Sequence, residues 1–301
     1  MFESLSSLFL RWMSRRSLRS LHASGSVIGW LTYWLSPSYR RRLGEHATLA
    51  GLAPAAWRPA IASAGEMVME LPYLWLRDAA TPISRSVTWR GAELVDAALD
   101  EAAARQRGIV FLTPHLGAFE VIAQAYAERY GARSPFTVLY RPSRQRALRK
   151  LVDQSRARPG LATAPASLAG VRQMMRALRR GEAVGLLPDQ VPPDGMGVWA
   201  PYFGKPAYTM TLAARLAQQT GARIVLMRCE RLPRGQGFMI EATNMVESFP
   251  EGVASDEAHQ VECAAVINRE MERLVLRSPG QYLWAYNRYK SPREPASPLD
   301  L

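Results

Sequence analysis

The chain has 301 residues, 48% hydrophobic and 21% charged, with a formal net charge of +12 and two cysteines. That size suits one large α/β domain with or without a small subdomain. Cys229 and Cys263 fit a reducing compartment better than a disulfide scaffold, and no CxxC, HExxH or EF-hand pattern offers a metal site. The positive charge is carried mostly by Arg and favours anionic partners. No zinc finger, basic zipper or aromatic-interleaved RNA-binding signature is present, so nucleic acid is not expected.

Leu5, Leu8, Phe9, Trp12 and Met13 recur at helical spacing, with Arg11, Arg15, Arg16 and Arg19 on another face. This describes a basic amphipathic helix suited to a membrane interface. The run Val27–Leu35 follows, with Trp30, Tyr33 and Trp34 as interfacial residue types, then Pro37 and Arg40 to Arg42. A spanning helix needs about 20 apolar residues, so this run predicts an interfacial anchor rather than a span. The late apolar stretch without a small-x-small site argues against a cleaved signal. Residues 1–44 are therefore expected to anchor an α/β domain running over 45–290. Deletion of residues 1–42 should release the protein from membranes and leave the core folded. A second apolar stretch, Met67–Leu76, suits either core or the entrance for a lipid chain.

From residue 100 strands and helices alternate. Apolar runs at Ile109–Leu112, Phe136–Tyr140, Ala183–Leu187, Arg223–Arg228 and Phe238–Glu241 predict strands. Helical patterns cover Phe119–Arg129, Gln145–Ser155, Ser167–Arg180, Thr209–Thr220 and Asp256–Arg277. The fold expected is α/β, with a central, largely parallel mixed sheet flanked by helices and N-terminal membrane-binding helices. The proline-rich segment from Ser291 predicts a flexible tail over 291–301.

Chemistry concentrates after the first of these strands, in Thr113-Pro114-His115-Leu116-Gly117-Ala118-Phe119-Glu120. An imidazole at a strand-to-helix junction can take a proton from a hydroxyl, and a carboxylate can fix its tautomer. On one continuous helix, residues five apart point about 140° apart. His115 is therefore expected on the turn, with Glu120 reaching back from the first helical turn. An ordinary loop histidine beside a first-turn acid explains the pair equally well. Ligands bind beyond the carboxyl ends of strands in open α/β sheets. Arg141-Pro142 follows the second strand and Pro188-Asp189-Gln190 the third, so His115, Arg141 and Asp189 should converge on one edge. The basic block from Arg141 to Arg158 reads mainly as a solvated helix face.

His115 with Glu120, Tyr140-Arg-Pro142, Arg156, Pro188-Asp-Gln190, Pro201-Tyr-Phe-Gly204 and the closing Pro279–Lys290 resemble, in order and spacing, the bacterial lipid A biosynthesis acyltransferases of the lysophospholipid acyltransferase superfamily. The resemblance runs through nearly the whole chain. It implies movement of a fatty acyl chain from an acyl carrier protein thioester to a hydroxyl of a membrane lipid, with no cofactor and no metal. His115 would be the general base and Glu120 its orienting partner. Arg156, Arg141 and Asp189 would serve the oxyanion or the substrate, with backbone N–H groups near the helix start as further oxyanion donors. Tyr202, Phe203 and Gly204 would form a turn under the site. The implied partners are an acidic carrier protein, a membrane lipid acceptor and an anionic membrane surface, at the cytoplasmic face of the bacterial inner membrane. Gly280 departs from the acid that the family carries before Gln-Trp or Gln-Tyr. The alternatives are another acceptor, such as an ornithine lipid, a glycolipid or a lysophospholipid, and a non-catalytic basic protein that binds membrane or nucleic acid.

Overall fold

The computed structural model describes residues 2–77, 81–140, 158–253 and 256–294. Its central sheet has seven strands in the order β1-β9-β8-β2-β5-β3-β4. These are β1 (Val87–Arg90), β2 (Ile109–Leu112), β3 (Phe136–Tyr140), β4 (Leu161–Pro165), β5 (Ala183–Leu186), β8 (Arg223–Arg231) and β9 (Phe238–Asn244). All neighbouring pairs are parallel except β8 with β9, so the sheet is mixed and largely parallel, as expected.

Alternation along β2 shows why both faces are covered. Ile109 and Phe111 point into one core, and Val110 and Leu112 into the other. The first core is closed by α6 (Ala92–Arg105) and α7 (Phe119–Tyr130). The second is closed by α8 (Leu168–Arg179), α9 (Leu212–Thr220) and α10 (Glu257–Arg277). A hairpin of β6 (Gly197–Tyr202) and β7 (Lys205–Met210) stands outside the sheet. Its two-residue turn is Phe203-Gly204, at φ 47° and 75°. Two successive positive φ values match the twist of flanking strands, which is the turn expected of this motif.

The sequence did not reveal β1, β4, α6 or the β6–β7 hairpin. The expected helix Gln145–Ser155 lies outside the described residues. The segment expected as a tail begins with contact, since the Asp194 N–H donates to the Arg293 carbonyl at 2.9 Å.

The N-terminal helices are α1 (Phe2–Ser14), α2 (Leu18–Leu35), α3 (Pro37–Leu49), α4 (Pro54–Trp57) and α5 (Pro59–Leu76). Ser17 and Ser36 cap α2 and α3 through side-chain oxygens, which explains the breaks between them. Helix α2 lies backbone to backbone on α5. A methyl on Gly29 would fall 2.1 Å from the Ile61 carbonyl oxygen, and one on Gly65 would fall 2.0 Å from that of Gly25. Leu43 and Ala47 of α3 join Leu116, Tyr282 and Trp284 in one small core beneath the turn that carries His115. Helices α2 and α3 therefore pack into the body rather than hang from it, and the core does not stop at residue 45. Among the described residues no helix is long and apolar enough to cross a membrane.

Candidate active site

Strands β2 and β5 are parallel neighbours with Leu112 opposite Leu186. The same sequence offset, continued past the strand ends, sets His115 opposite Asp189. The Asp189 carboxylate takes both donors that His115 offers. Oδ2 accepts from the His115 backbone N–H at 2.8 Å, and Oδ1 pairs with Nδ1 at 2.7 Å. Asp189 is 1% exposed. Burial pushes its carboxyl up. The charge of His115, the two hydrogen bonds from His115 and the more distant Arg288 outweigh that, and hold it below the ordinary carboxylate value. An ionised carboxylate only accepts hydrogen bonds, so Nδ1 carries a proton, and whenever the imidazole is neutral Nε2 is its basic nitrogen.

The sequence reading assigned the orienting carboxylate to Glu120. The structure puts Asp189 on Nδ1 instead. Glu120 sits in the first turn of α7, with His115 on the wall of one cavity. Arg141 and Arg156 lie outside the described residues. Ahead of the helix start, the turn spends the amides of residues 115–118 within the protein. Besides His115 N–H, Leu116 N–H donates to the Pro114 carbonyl, Gly117 N–H to that of Gln281 and Ala118 N–H to that of Cys229.

These bonds shape the turn. Gly117 has φ 58°, and a Cβ there would lie 2.0 Å from the Cys229 carbonyl oxygen, so only glycine fits. The Gly117 carbonyl accepts from Arg231 Nη2 at 2.6 Å. That guanidinium is buried and also donates to both oxygens of Glu70 at 2.8 Å and to Ser63 Oγ at 2.8 Å. His22 Nε2 closes the cluster on Glu70 at 3.0 Å. Polar and charged side chains of α2, α5 and β8 thus meet directly behind the His115 turn. Below Asp189, the Tyr202 and Tyr282 hydroxyls bond to each other at 3.1 Å. Burial, and then nearby charge and ring neighbours including Asp189, raise both phenols well above their ordinary values.

In front of His115 opens a cavity of about 490 Å³. Trp75, Leu139, Leu187, Val191, Met196 and Leu212 supply much of its apolar wall, and Glu120, Tyr140, Ser167 and Gln190 its polar points. Trp75 comes from the second apolar stretch noted in the sequence, whose Leu74 is core. A cavity of largely aliphatic and aromatic walls with a histidine among its lining residues suits an acyl chain better than a sugar or nucleotide.

Residues 57–291 match the sequence profile of a family described as bacterial lipid A biosynthesis acyltransferase. The chain belongs to this family. Over 230 residues it is 26% identical to lipid A biosynthesis palmitoleoyltransferase of Escherichia coli K12, covering 76% of this chain and 69% of that protein. The lipid A biosynthesis acyltransferase of Shigella flexneri aligns to the same extent. Lipid A biosynthesis lauroyltransferase of Escherichia coli K12 is 29% identical over 185 residues, 61% of this chain and 55% of that protein.

For a lipid A acyltransferase family member, the site residues that sequence reasoning missed are instructive. Gln190 follows Asp189 directly, lines the cavity and makes no hydrogen bond among the described residues. Its place in Pro188-Asp189-Gln190 was the available signal. Arg231, Glu70 and His22 carried none, because their contact spans sequence separations of 48 and 161 residues.

Proposed function

We propose that this protein moves a fatty acyl chain from an acyl carrier protein thioester to a hydroxyl of a lipid A precursor. The observation that carries the reading is a single arrangement. The Nδ1 of His115 is held by a buried carboxylate, which leaves Nε2 as the base at the head of an apolar cavity. The chain lies in the cavity with the thioester carbonyl near His115. The acceptor hydroxyl gives its proton to Nε2 as its oxygen forms a bond to the carbonyl carbon. The resulting tetrahedral oxyanion collapses, the C–S bond breaks, and the imidazolium returns its proton to the leaving thiolate. Asp189 holds the ring and stabilises the imidazolium. Glu120 acts from the cavity wall on the substrate side. With the amides of residues 115–118 committed, the Gln190 side-chain amide and the backbone N–H groups at the start of α7 are the donors assigned to the oxyanion.

The surface supports membrane attachment. Leu8, Phe9 and Trp12 of α1 and Val27, Leu31, Trp34 and Leu35 of α2 are all exposed, from 45% to 79%. The Arg16 guanidinium stands 4.5 Å over the Trp12 ring. Apolar side chains turned outward beside arginines suit the interface of an anionic membrane. This reading places the enzyme on the cytoplasmic face of the bacterial inner membrane.

The test is lipid mass spectrometry of cells producing wild-type protein or His115→Ala. One additional acyl chain on lipid A with wild type alone is expected. A gain on a different lipid would keep the chemistry and remove the acceptor. No change in any lipid would remove the reaction.

A further inference from the structure

We propose that the outer face of α8 is the docking surface for the acidic carrier that presents the acyl donor. The inference rests on the acyl-transfer reading and names the partner's landing site. Helix α8 has the sequence LAGVRQMMRALR and holds no acidic residue. Its inner side is core, through Met174, Ala177 and Leu178. Its outer side presents Arg172, Arg176 and Arg179, all exposed and without an ion pair or hydrogen bond among the described residues.

Elsewhere several arginines are ion-paired. Arg105 meets Glu101 at 3.0 Å, Arg133 meets Asp96 and Asp100, and Arg269 and Arg273 meet Glu247. Even Arg180, one residue past α8, is bonded to Glu182 at 2.7 Å. On α8 three unpaired guanidinium groups fall on one stripe, at i, i+4 and i+7.

The stripe leads to the cavity. Ser167, which caps the same helix, and Leu168 and Val171 of its first turn line the cavity, and Leu168 is 71% exposed. With a rise of about 1.5 Å per residue, Arg172 lies about 6 Å from Leu168 along the axis and Arg179 about 16 Å. An acidic helix laid along α8 would meet three guanidinium groups and one apolar anchor. Its thioester arm would then start beside residues that line the cavity. Charges on such a rim act through encounter and orientation rather than through the bond-making step.

The test uses the full chain with one acyl group on two donors, an acyl carrier protein thioester and the corresponding pantetheine thioester. A triple variant, Arg172→Glu with Arg176→Glu and Arg179→Glu, should raise KM for the carrier-borne donor at least tenfold. It should leave kcat, and turnover of the pantetheine thioester, unchanged. The matching triple lysine variant should retain the wild-type KM. An unchanged carrier KM in the glutamate variant overturns the inference, as does equal loss on both donors. Cosedimentation with phosphatidylglycerol vesicles distinguishes the other anionic partner. Loss of vesicle binding with carrier KM unchanged makes α8 a membrane patch and removes the carrier site. Binding of the acylated carrier, measured by calorimetry, separates this inference from the reaction it rests on. If neither donor turns over, carrier binding that the glutamate variant abolishes still supports the surface. Absent or unaltered binding overturns it.

Discussion

With an acceptor-only carboxylate on Nδ1, the His115 ring presents Nε2 to the cavity, and the identity of that carboxylate sets the tautomer. Asp189→Asn tests this at the scale of one atom. The amide oxygen can still accept the His115 backbone N–H, so the turn should hold. Its NH2 group would donate to Nδ1, move the ring proton to Nε2 and remove the base. Turnover should fall by about 10² to 10⁴, the range for loss of a general base, with the circular dichroism spectrum unchanged. Turnover within threefold of wild type would exclude Asp189 as the orienting residue. The pH dependence has a definite sign. The Asp189 carboxyl is held below its ordinary value of 3.8. A depressed carboxyl contributes stability at pH above its ordinary value and loses it as pH falls through the depressed one. The stability gap between wild type and Asp189→Asn should therefore be constant above about pH 4 and narrow below it, as followed by urea melts across that range.

Between elements, the decisive contacts are those that tie the N-terminal helices to the His115 turn. Arg231 is bound to Glu70 through two 2.8 Å bonds, both partners are buried, and the same guanidinium holds the Gly117 carbonyl. Removing one partner of a buried pair strands the other charge, which costs about 3–5 kcal/mol. Glu70→Ala should lose stability on that scale in denaturant melts. A loss below about 1 kcal/mol would show that water replaces the carboxylate. Interlocking of α2 with α5 also changes the outcome of truncation. A cut at residue 42 strips His22 from Glu70 and exposes the glycine face of α5 that α2 covers through Gly25 and Gly29. That deletion should yield aggregated or proteolysed protein, while deletion of residues 1–16 alone should leave a cooperative thermal transition. A well-folded, soluble protein from the longer cut would mean that α2 contributes little to the body.

Over the whole molecule, what local pattern could reveal was the central sheet. β2, β3, β5, β8 and β9 are apolar runs, and each prediction fell on its strand. His115 and Asp189 were both legible as residues just past strand ends. Their pairing was not, because it depends on the register of two strands distant in sequence, and the nearer Glu120 offered a local substitute. β1 and β4 are short and half-exposed, so their apolar pattern is weak, and the backbone ladder with β9 and β3 holds them in place. The outward apolar residues of α1 and α2 were legible as spacing, but which of them face solvent was not. Met13, Leu18 and Leu21 are buried, whereas Trp12, Leu31, Trp34 and Leu35 are exposed. Membrane attachment can therefore be tested without touching the fold. Changing Trp12, Leu31, Trp34 and Leu35 together to Ser removes exposed apolar area and leaves the α2–α5 contact intact. Surface substitutions of this kind usually alter stability by less than about 0.5 kcal/mol each. The variant should melt close to wild type yet shift from the membrane pellet to the supernatant in cell fractionation. Activity on a detergent-dispersed acceptor should be kept and activity on vesicles lost. Undiminished pelleting, with the melting temperature unchanged, would assign attachment to another surface of the molecule, with Val68 of α5, 52% exposed, the next residue to change.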